Sequence, residues 1–285
     1  MDNAGFHQRL EELRPRLHRY CARMVGSTVD GEDVLQETLL KAIRAWSPDM
    51  PQDNVEGWLF RIAHNASLDV LRSRARQDIL PLPDDLASPP LQETQVVSIS
   101  FRTFLRLPEL QRCAVVMKDV LGYSAEEIAS VAGCTTAAAK SALQRGRANL
   151  RRLAAEPEDI RLPVMTDLER NLLSRYVALF QGGDFDAIRE MLAEGVKLDL
   201  VNRVQMEGRE KVGAYFTRYA EEARWQFVLG AVEGRPALLG FDCNEEMERP
   251  THFVLIGWQG EKIAVIRDFL FASYVTEGLD WFRLP

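Results

Sequence analysis

The segment from Gly122 to Leu153 constrains the fold of this chain more than any other stretch. Ser124 and Glu127 have the spacing of a capping box, which predicts the start of a short helix there. Gly133 is placed to supply the left-handed residue that ends this helix. A threonine pair can then cap a second helix, which carries arginine and lysine and no acid from Thr135 to Ala155. Helix, glycine turn and capped basic helix together predict a helix-turn-helix unit of the kind that binds DNA.

The charge of the chain limits how such a unit can bind DNA. The net charge is −7, and the first 160 residues, with 20 Lys+Arg against 22 Asp+Glu, are not basic either. The positive charge is local, at Arg72–Arg76 and at Lys140–Arg152. Local basic stripes suffice for phosphate contacts, but they predict weak binding to free DNA. A larger partner is therefore expected to hold the chain on its target.

Composition excludes several other classes of protein. No apolar run approaches the ~20 residues that a membrane span needs, and the polar, acidic start at Met1–Leu13 is not typical of a signal peptide. The four cysteines are scattered and lack Cys/His ligand spacing, which predicts reduced thiols rather than a disulfide framework or a zinc site. We therefore expect a cytoplasmic protein with no membrane association, no metal ion and no cofactor.

Apolar periodicity predicts three helices over residues 6–26, 30–47 and 58–76. Residues 77–97 change character, because prolines and acids occur there at a density that predicts an extended linker. A second helical domain, over residues 98–155, contains the helix-turn-helix. The apolar side of the second helix is predicted to comprise Val34, Leu35, Thr38, Leu39, Ala42, Ile43 and Trp46.

Three of these segments resemble one family in the same order. The segment Asp30–Trp46 resembles the region 2 helix of extracytoplasmic-function sigma factors, and Trp58–Arg74 resembles their promoter-melting helix. Leu107–Arg112, which reads Leu-Pro-Glu-Leu-Gln-Arg, resembles region 4 together with the helix-turn-helix. The three motifs cover residues 6–153, and their order makes the resemblance specific.

The resemblance implies partners and sites for a sigma factor. RNA polymerase core would be bound through the β′ clamp helices and the β flap, with the region 2 helix meeting the clamp helices, and promoter DNA through its −10 and −35 elements. The −10 element would also meet the loop Pro48–Glu56. The implied residues are Asp33, Gln36 and Glu37 for the polymerase, Arg61, Asn65, Asp69 and Arg72 for the −10 element, and Thr135, Thr136, Lys140, Ser141, Gln144 and Arg145 for the −35 element.

Plainer interpretations of the same residues stay open. The acids of the region 2 helix also suit a solvated helix start, and one of the two threonines is explained by N-capping alone. Trp58 and Phe60 are either stacking platforms for unpaired bases or core residues, and their helical spacing favours the core for Trp58. Ala142 stands where many relatives have arginine, which predicts fewer direct base contacts. The −35 contact is then either weak or dependent on Thr135, Thr136 and Gln144. Gly146 is expected to weaken its helix by about 1 kcal/mol relative to alanine.

The remaining ~130 residues predict an α+β domain in which helices precede a run of antiparallel strands. Predicted strands are 196–201, 225–232, 237–241, 252–258 and 263–271. Short phrases such as Gly182–Ile188 and Gly208–Val212 resemble the SnoaL-like group of the nuclear-transport-factor-2-like superfold. That resemblance implies a cone-shaped domain with an interior pocket. Residues considered for the pocket are Asp199, Tyr215, Tyr219, Asp242, His252 and Asp268, the predicted set being Asp199, Tyr215, His252 and Asp268.

The overall prediction is a multidomain sigma factor rather than an enzyme. It comprises region 2 (1–76), a linker (77–97), region 4 (98–155), a second linker (156–165) and a SnoaL-like domain (166–285) that regulates the sigma domains by intramolecular contact. The apolar tail 275–285 is expected to dock on its own domain or on the sigma domains. The alternatives are a SnoaL-like enzyme or small-ligand sensor fused to a DNA-binding unit, and a transcriptional regulator that binds an operator alone.

Overall fold

The structure, a computed structural model, describes residues 2–48, 54–75, 99–156, 163–221, 224–244 and 248–284. The predicted linker 77–97 and the middle of the predicted −10 loop lie outside these ranges, as does most of the second linker. The chain divides into two compact units, Met1–Glu158 and Asp159–Pro285. Within the described ranges, no helix combines the length and the apolar character needed to cross a membrane.

The first unit begins with a bundle of three helices, α1 (Asn3–Val25), α2 (Thr28–Ala45) and α3 (Val55–Ala75). Gly26 ends α1 in the left-handed conformation at φ 73°, and Ser27 caps α2 by accepting a hydrogen bond from the Asp30 N–H. Gly31 permits α1 and α2 to lie close together, because a Cβ there would be only 2.5 Å from the Ala22 Cα. The interior is apolar, and side chains such as Phe6 and Leu17 are fully buried.

The rest of the first unit contains the predicted helix-turn-helix. A short α4 (Phe101–Leu105) precedes α5 (Glu109–Val115), which continues as a π-helical turn (Val116–Val120). The two helices of the motif are α6 (Ala125–Ala132) and α7 (Thr136–Ala154). Both hydrogen bonds of the predicted capping box are present at the start of α6, and a left-handed glycine at φ 66° ends it. Thr135 caps α7 by accepting from the Ala138 N–H at 3.1 Å.

The second unit packs three helices against one sheet. The helices are α8 (Asp167–Gln181), α9 (Phe185–Met191) and α10 (Arg209–Glu221). The strands are β1 (Leu192–Leu200), β2 (Val204–Glu207), β3 (Trp225–Val232), β4 (Arg235–Asp242), β5 (His252–Gln259), β6 (Lys262–Asp268) and β7 (Trp281–Arg283). Their order is β2-β1-β6-β5-β4-β3-β7, and only the β1–β6 pair is parallel among the described strands. The apolar core lies between the helices and one face of the sheet.

The C-terminal tail packs on the sheet of its own unit. β7 pairs antiparallel with β3, and the Leu284 N–H donates to the Leu229 carbonyl at 3.0 Å. Phe269 stacks on Phe253 with ring centroids 4.2 Å apart, and Trp281 meets Phe241 edge-on at 6.4 Å. The strand pairing and the Trp281–Phe241 contact attach the apolar tail to its own domain.

The sequence analysis did not predict β2 and β7, and it predicted β6 to extend beyond its observed end. β2 and β7 are short edge strands of four and three residues, which carry too little alternation to be recognised. The strand predicted to reach Phe271 ends at Asp268, whose carboxylate accepts a hydrogen bond from the Leu270 N–H at 2.9 Å and turns the chain.

Gly146 lies where α5 and α7 cross. A Cβ at this position would be 2.9 Å from the Gln111 carbonyl oxygen and 2.8 Å from the Val115 Cγ2. Gly146 has a low helix propensity, but the close packing of α5 against α7 requires a residue without a side chain at this position.

We predict that Gly146→Ala lowers the free energy of unfolding by about 1–3 kcal/mol, because the backbone of α5 must shift to admit the methyl group. Urea unfolding of the full chain measures this. Gly213→Ala in α10 is the matched control, since a Cβ there meets nothing nearer than the Arg189 Cδ at 3.7 Å. A Gly146→Ala protein as stable as the parent would contradict the packing argument.

Candidate functional site

The residues predicted to bind polymerase share one face of α2. Asp33 and Glu37 are exposed and Gln36 is half-buried, as expected from their i, i+3 and i+4 spacing. Two apolar side chains extend this face, Leu40 at 53% and Ile43 at 44% exposure. The assignment of Ile43 to the buried side of α2 was wrong, because the helix packs on its neighbours mainly through Val34, Leu35 and Leu39. We call Asp33, Gln36, Glu37, Leu40 and Ile43 the α2 face.

The residues predicted for the −10 element also form one stripe. Arg61, Asn65, Asp69 and Arg72 follow each other at intervals of three or four along α3, and all four are exposed. Asp69 and Arg72 lie 3.8 Å apart as an i, i+3 ion pair. Phe60 points the other way and is fully buried against Tyr20 and Tyr123, so it serves the core. Trp58 is half-buried beside Phe6.

Arg61 is engaged by the helix-turn-helix. Its Nη2 donates to the Ser130 carbonyl oxygen at 2.5 Å, and its Nε donates to the same oxygen at 3.1 Å. The Ser130 hydroxyl accepts a further bond at 3.1 Å. Ser130 lies in the last turn of α6, where carbonyls lack helical partners and the dipole favours a cation.

A second group of polar contacts surrounds Glu56 at the start of α3. Its carboxylate accepts from Arg9 at 2.8 Å and from Arg16 at 2.5 Å, and it also accepts the Tyr123 hydroxyl. The Arg16 guanidinium lies 4.9 Å from the centroid of the Tyr123 ring and donates to the Leu121 carbonyl. Burial, followed by the hydrogen bond to the Glu56 carboxylate, raises the pKa of Tyr123. Arg16, Glu56 and Tyr123 line a pocket of about 260 Å³ between α3 and the segment that runs from the π-turn to α6.

The residues predicted for the −35 element lie on the outer side of α7. Thr135, Lys140, Ser141, Gln144 and Arg145 are exposed, and Thr136 is half-buried. Of the two threonines, Thr135 is the helix cap. Ala142 is fully buried, so packing explains its small size.

Not every arginine of α7 faces outward. Arg147 donates through its Nε to the Asp119 Oδ2 at 2.9 Å and through its Nη2 to the other carboxylate oxygen. The Asp119 side chain is only 1% exposed. This arginine therefore holds α7 on the π-turn, whereas Lys140 and Arg145, also in α7, are exposed.

The second unit contains a buried polar cluster. Tyr215 and Tyr219 both donate to the Asp268 Oδ2, the second at 2.8 Å. Burial, and then the nearby carboxylate, raises the pKa of both phenols. Burial lowers the pKa of His252, whose ring packs edge-on against Trp225 at 4.7 Å.

Asp199 does not join this cluster. It lies between inward-facing Leu198 and Leu200, so strand alternation turns it to the opposite face of the sheet. There it pairs with the Arg267 Nε at 3.3 Å. Of the four predicted pocket residues, Tyr215 and Asp268 are therefore in hydrogen-bond contact, together with Tyr219. His252 is buried against Trp225 and Phe227.

Comparison with known proteins connects these surfaces to one family. The family description Sigma-70 region 2 matches residues 10–77, and Sigma-70 region 4 matches residues 102–150. SigM of Mycobacterium tuberculosis, an ECF RNA polymerase sigma factor, is 34% identical over 154 residues, which are 53% of this chain and 78% of SigM. This chain belongs to the ECF RNA polymerase sigma factors. All the residues predicted to bind polymerase and the −10 element lie in region 2, and all those predicted for the −35 element lie in region 4.

Further comparisons reach beyond these two regions. SigG of Mycobacterium tuberculosis, another ECF sigma factor, is 32% identical over 217 residues, which are 65% of this chain. The matched part spans 58% of SigG, less than two thirds of its length. An NTF2-like protein from Mesorhizobium loti is similar in structure to 40% of this chain and covers 94% of its own, with 17% identity and a TM-score of 0.30.

Arg147 and Arg145, two residues apart on the recognition helix of region 4, should behave differently on substitution. We predict that Arg147→Ala lowers the free energy of unfolding by about 3 kcal/mol, because it leaves the buried Asp119 carboxylate without its cation. Arg145→Ala is expected to change it by less than about 0.5 kcal/mol. Urea unfolding of both variants measures the difference, and equal stabilities would contradict it.

Proposed function

We propose that this chain is a sigma factor that recruits RNA polymerase core to promoters and opens the DNA at the −10 element. The observation that carries the proposal is the α2 face. Its three polar residues adjoin two exposed apolar side chains, Leu40 and Ile43. Apolar side chains exposed within a polar rim are typical of a protein interface, and the β′ clamp helices of the polymerase are the partner that the family resemblance implies.

The two exposed stripes support the DNA-binding part of the proposal. Polar groups along one face of α3, from Arg61 to Arg72, suit the edges and phosphates of an unpaired −10 strand. The exposed side chains of α7 suit the −35 major groove, where residues near the start of a recognition helix meet base edges. With Arg147 committed to Asp119, this region 4 is expected to bind DNA weakly alone and to depend on polymerase, including the β flap, for its position.

We also propose a separate role for each segment of the chain. Residues 1–76 serve as region 2, 98–155 as region 4, and 166–285 as an in-cis regulatory module without catalytic activity, with linkers at 77–97 and 156–165. The alternative is a ligand sensor or enzyme built on the Tyr215, Tyr219, His252 and Asp268 cluster. One observation favours a structural role, since the Asp268 carboxylate is fully buried and hydrogen-bonded on both oxygens.

Loss of charge from the α2 face should separate the chain from polymerase. We predict that Asp33→Ala combined with Glu37→Ala weakens binding to core polymerase at least 10-fold, because interfacial charge pairs are lost, and lowers run-off transcription accordingly. Asp186→Ala with Glu194→Ala is the matched control, since these acids are 92% and 86% exposed in the second unit. Unchanged core binding by the α2 variant would contradict the proposed function.

Removal of the second unit should change transcription. We predict that residues 1–158 and the full chain differ by more than about 2-fold in run-off yield from the same promoter with the same core polymerase. The yield can change in either direction, because a regulatory module can mask or reposition region 4. Equal yields, with equal binding to core, would remove the regulatory role of residues 166–285.

A further inference from the structure

The described arrangement of the first unit poses a geometric problem for the proposed function, on which this inference rests. A compact unit of this length has a radius of gyration of about 15 Å. The −10 and −35 elements are separated by roughly 25 base pairs, or about 85 Å of B-form DNA at 3.4 Å per pair. Stripes on α3 and α7 that belong to one such unit cannot reach both elements at once.

The contact between the two DNA-binding regions also engages the first residue of the −10 stripe. Arg61 is the first residue of that stripe, and its guanidinium makes three hydrogen bonds to Ser130 of region 4. The Ser130 carbonyl at the end of α6 provides an oxygen acceptor at the negative end of a helix dipole. That environment resembles what a phosphate or a base edge would offer the same guanidinium, so region 4 takes a place that DNA would take.

The Glu56 group ties the same two regions together beside Arg61. Glu56 and Arg16 belong to region 2, whereas Tyr123 belongs to region 4 and is 8% exposed. The Tyr123 hydroxyl donates to the Glu56 carboxylate, and its ring packs on Phe60 at 5.1 Å. Arg16 reaches both partners, through Glu56 at 2.5 Å and the Tyr123 ring at 4.9 Å. We call Arg16, Glu56 and Tyr123 the latch.

We propose that the described first unit is an autoinhibited resting state, in which the latch holds α6 against Arg61, the first residue of the −10 stripe, and region 4 must leave α3 before promoter DNA binds. Opening breaks the Tyr123–Glu56, Arg61–Ser130 and Arg112–Met24 contacts and frees the Arg61 guanidinium for DNA. The covalent chain permits the separation, because residues 76–98 could span at most about 80 Å if extended. Any partner that binds the open state better shifts the chain toward it.

A native cysteine reports on this opening. Cys113 of region 4 is fully buried and accepts a hydrogen bond from the Tyr20 hydroxyl of region 2 at 3.3 Å. Cys21 is equally buried but lies in α1 within the region 2 bundle. Alkylation of Cys113 requires the regions to part, whereas alkylation of Cys21 requires the bundle to unfold. The ratio of the two rates therefore separates opening from unfolding.

The test uses the full chain carrying Cys134→Ser and Cys243→Ser, alkylated under native conditions and followed by peptide mass spectrometry. Tyr123→Phe keeps the ring and removes only the hydroxyl, and we expect it to raise the alkylation rate at Cys113 about 10-fold, the value for loss of one bond to a charged group. The rate at Cys21 should not change. Arg16→Gln is a second variant with the same expectation.

The matched control is Arg106→Gln, which removes an ion pair with Glu156 at 2.6 Å without touching region 2. It should leave both alkylation rates within about 2-fold of the parent. If Tyr123→Phe and Arg16→Gln do the same, the latch does not hold the regions together and the proposal is overturned. It is overturned as well if Cys113 already reacts as fast as an exposed thiol in the parent chain.

Binding of a single-stranded 20-nucleotide dT probe at low salt tests the masking. Apparent affinity scales with the fraction of competent chain, so Tyr123→Phe should bind the probe tighter by the factor seen at Cys113. Faster alkylation without tighter binding would show that opening does not release Arg61 for DNA, and it would overturn the masking. Neither measurement contains polymerase, so a failure of run-off transcription bears on the proposed function and not on the latch.

Discussion

The buried guanidinium of Arg112 is the interaction on which the arrangement of the first unit depends. Arg112 is 4% exposed and donates to the carbonyls of Met24, Leu105 and Leu107, the last at 2.9 Å. Met24 lies in the last turn of α1, and the other two flank the turn between α4 and α5. Burial lowers the pKa of Arg112 to about 10, which still leaves it charged at neutral pH. A buried charge without acceptors is costly, so Arg112 keeps the end of α1 and the α4–α5 turn together in the resting state.

Around Arg112, other polar groups of region 2 and region 4 also form hydrogen bonds with each other. The Tyr20 hydroxyl of α1 donates a hydrogen bond to the Cys113 Sγ, and it is also hydrogen-bonded to the His64 Nδ1 of α3 at 2.8 Å. Arg61 and Glu56 likewise find partners in region 4. The surfaces assigned to polymerase and DNA are thus unequally accessible. The α2 face and the outer side of α7 are exposed, whereas the first residue of the −10 stripe is engaged by α6.

Much of the fold could be predicted from the sequence because local signals and tertiary packing agree. The capping box at Ser124, the left-handed Gly133 and the cap at Thr135 are all formed by residues within a few positions of each other. The strand predicted over 225–232 has the same bounds in the structure. The short β2 and β7 could not be predicted in this way, since an edge strand of three or four residues is defined by its neighbour rather than by its own pattern.

The sequence by itself determined the order of the regions and the stripes along single helices, because residues at i, i+3 and i+4 share a face whatever surrounds them. Only the tertiary structure decided which of those residues are available. Arg147 forms an ion pair with Asp119, Ala142 is buried, and Gly146 packs directly against the backbone of α5. Each of these residues nevertheless lies next to exposed residues in the sequence of α7. The tertiary structure also places Asp199 on the opposite face of the sheet from Asp268, where it pairs with Arg267. These outcomes depend on contacts between residues distant in sequence, which periodicity and local propensity do not encode.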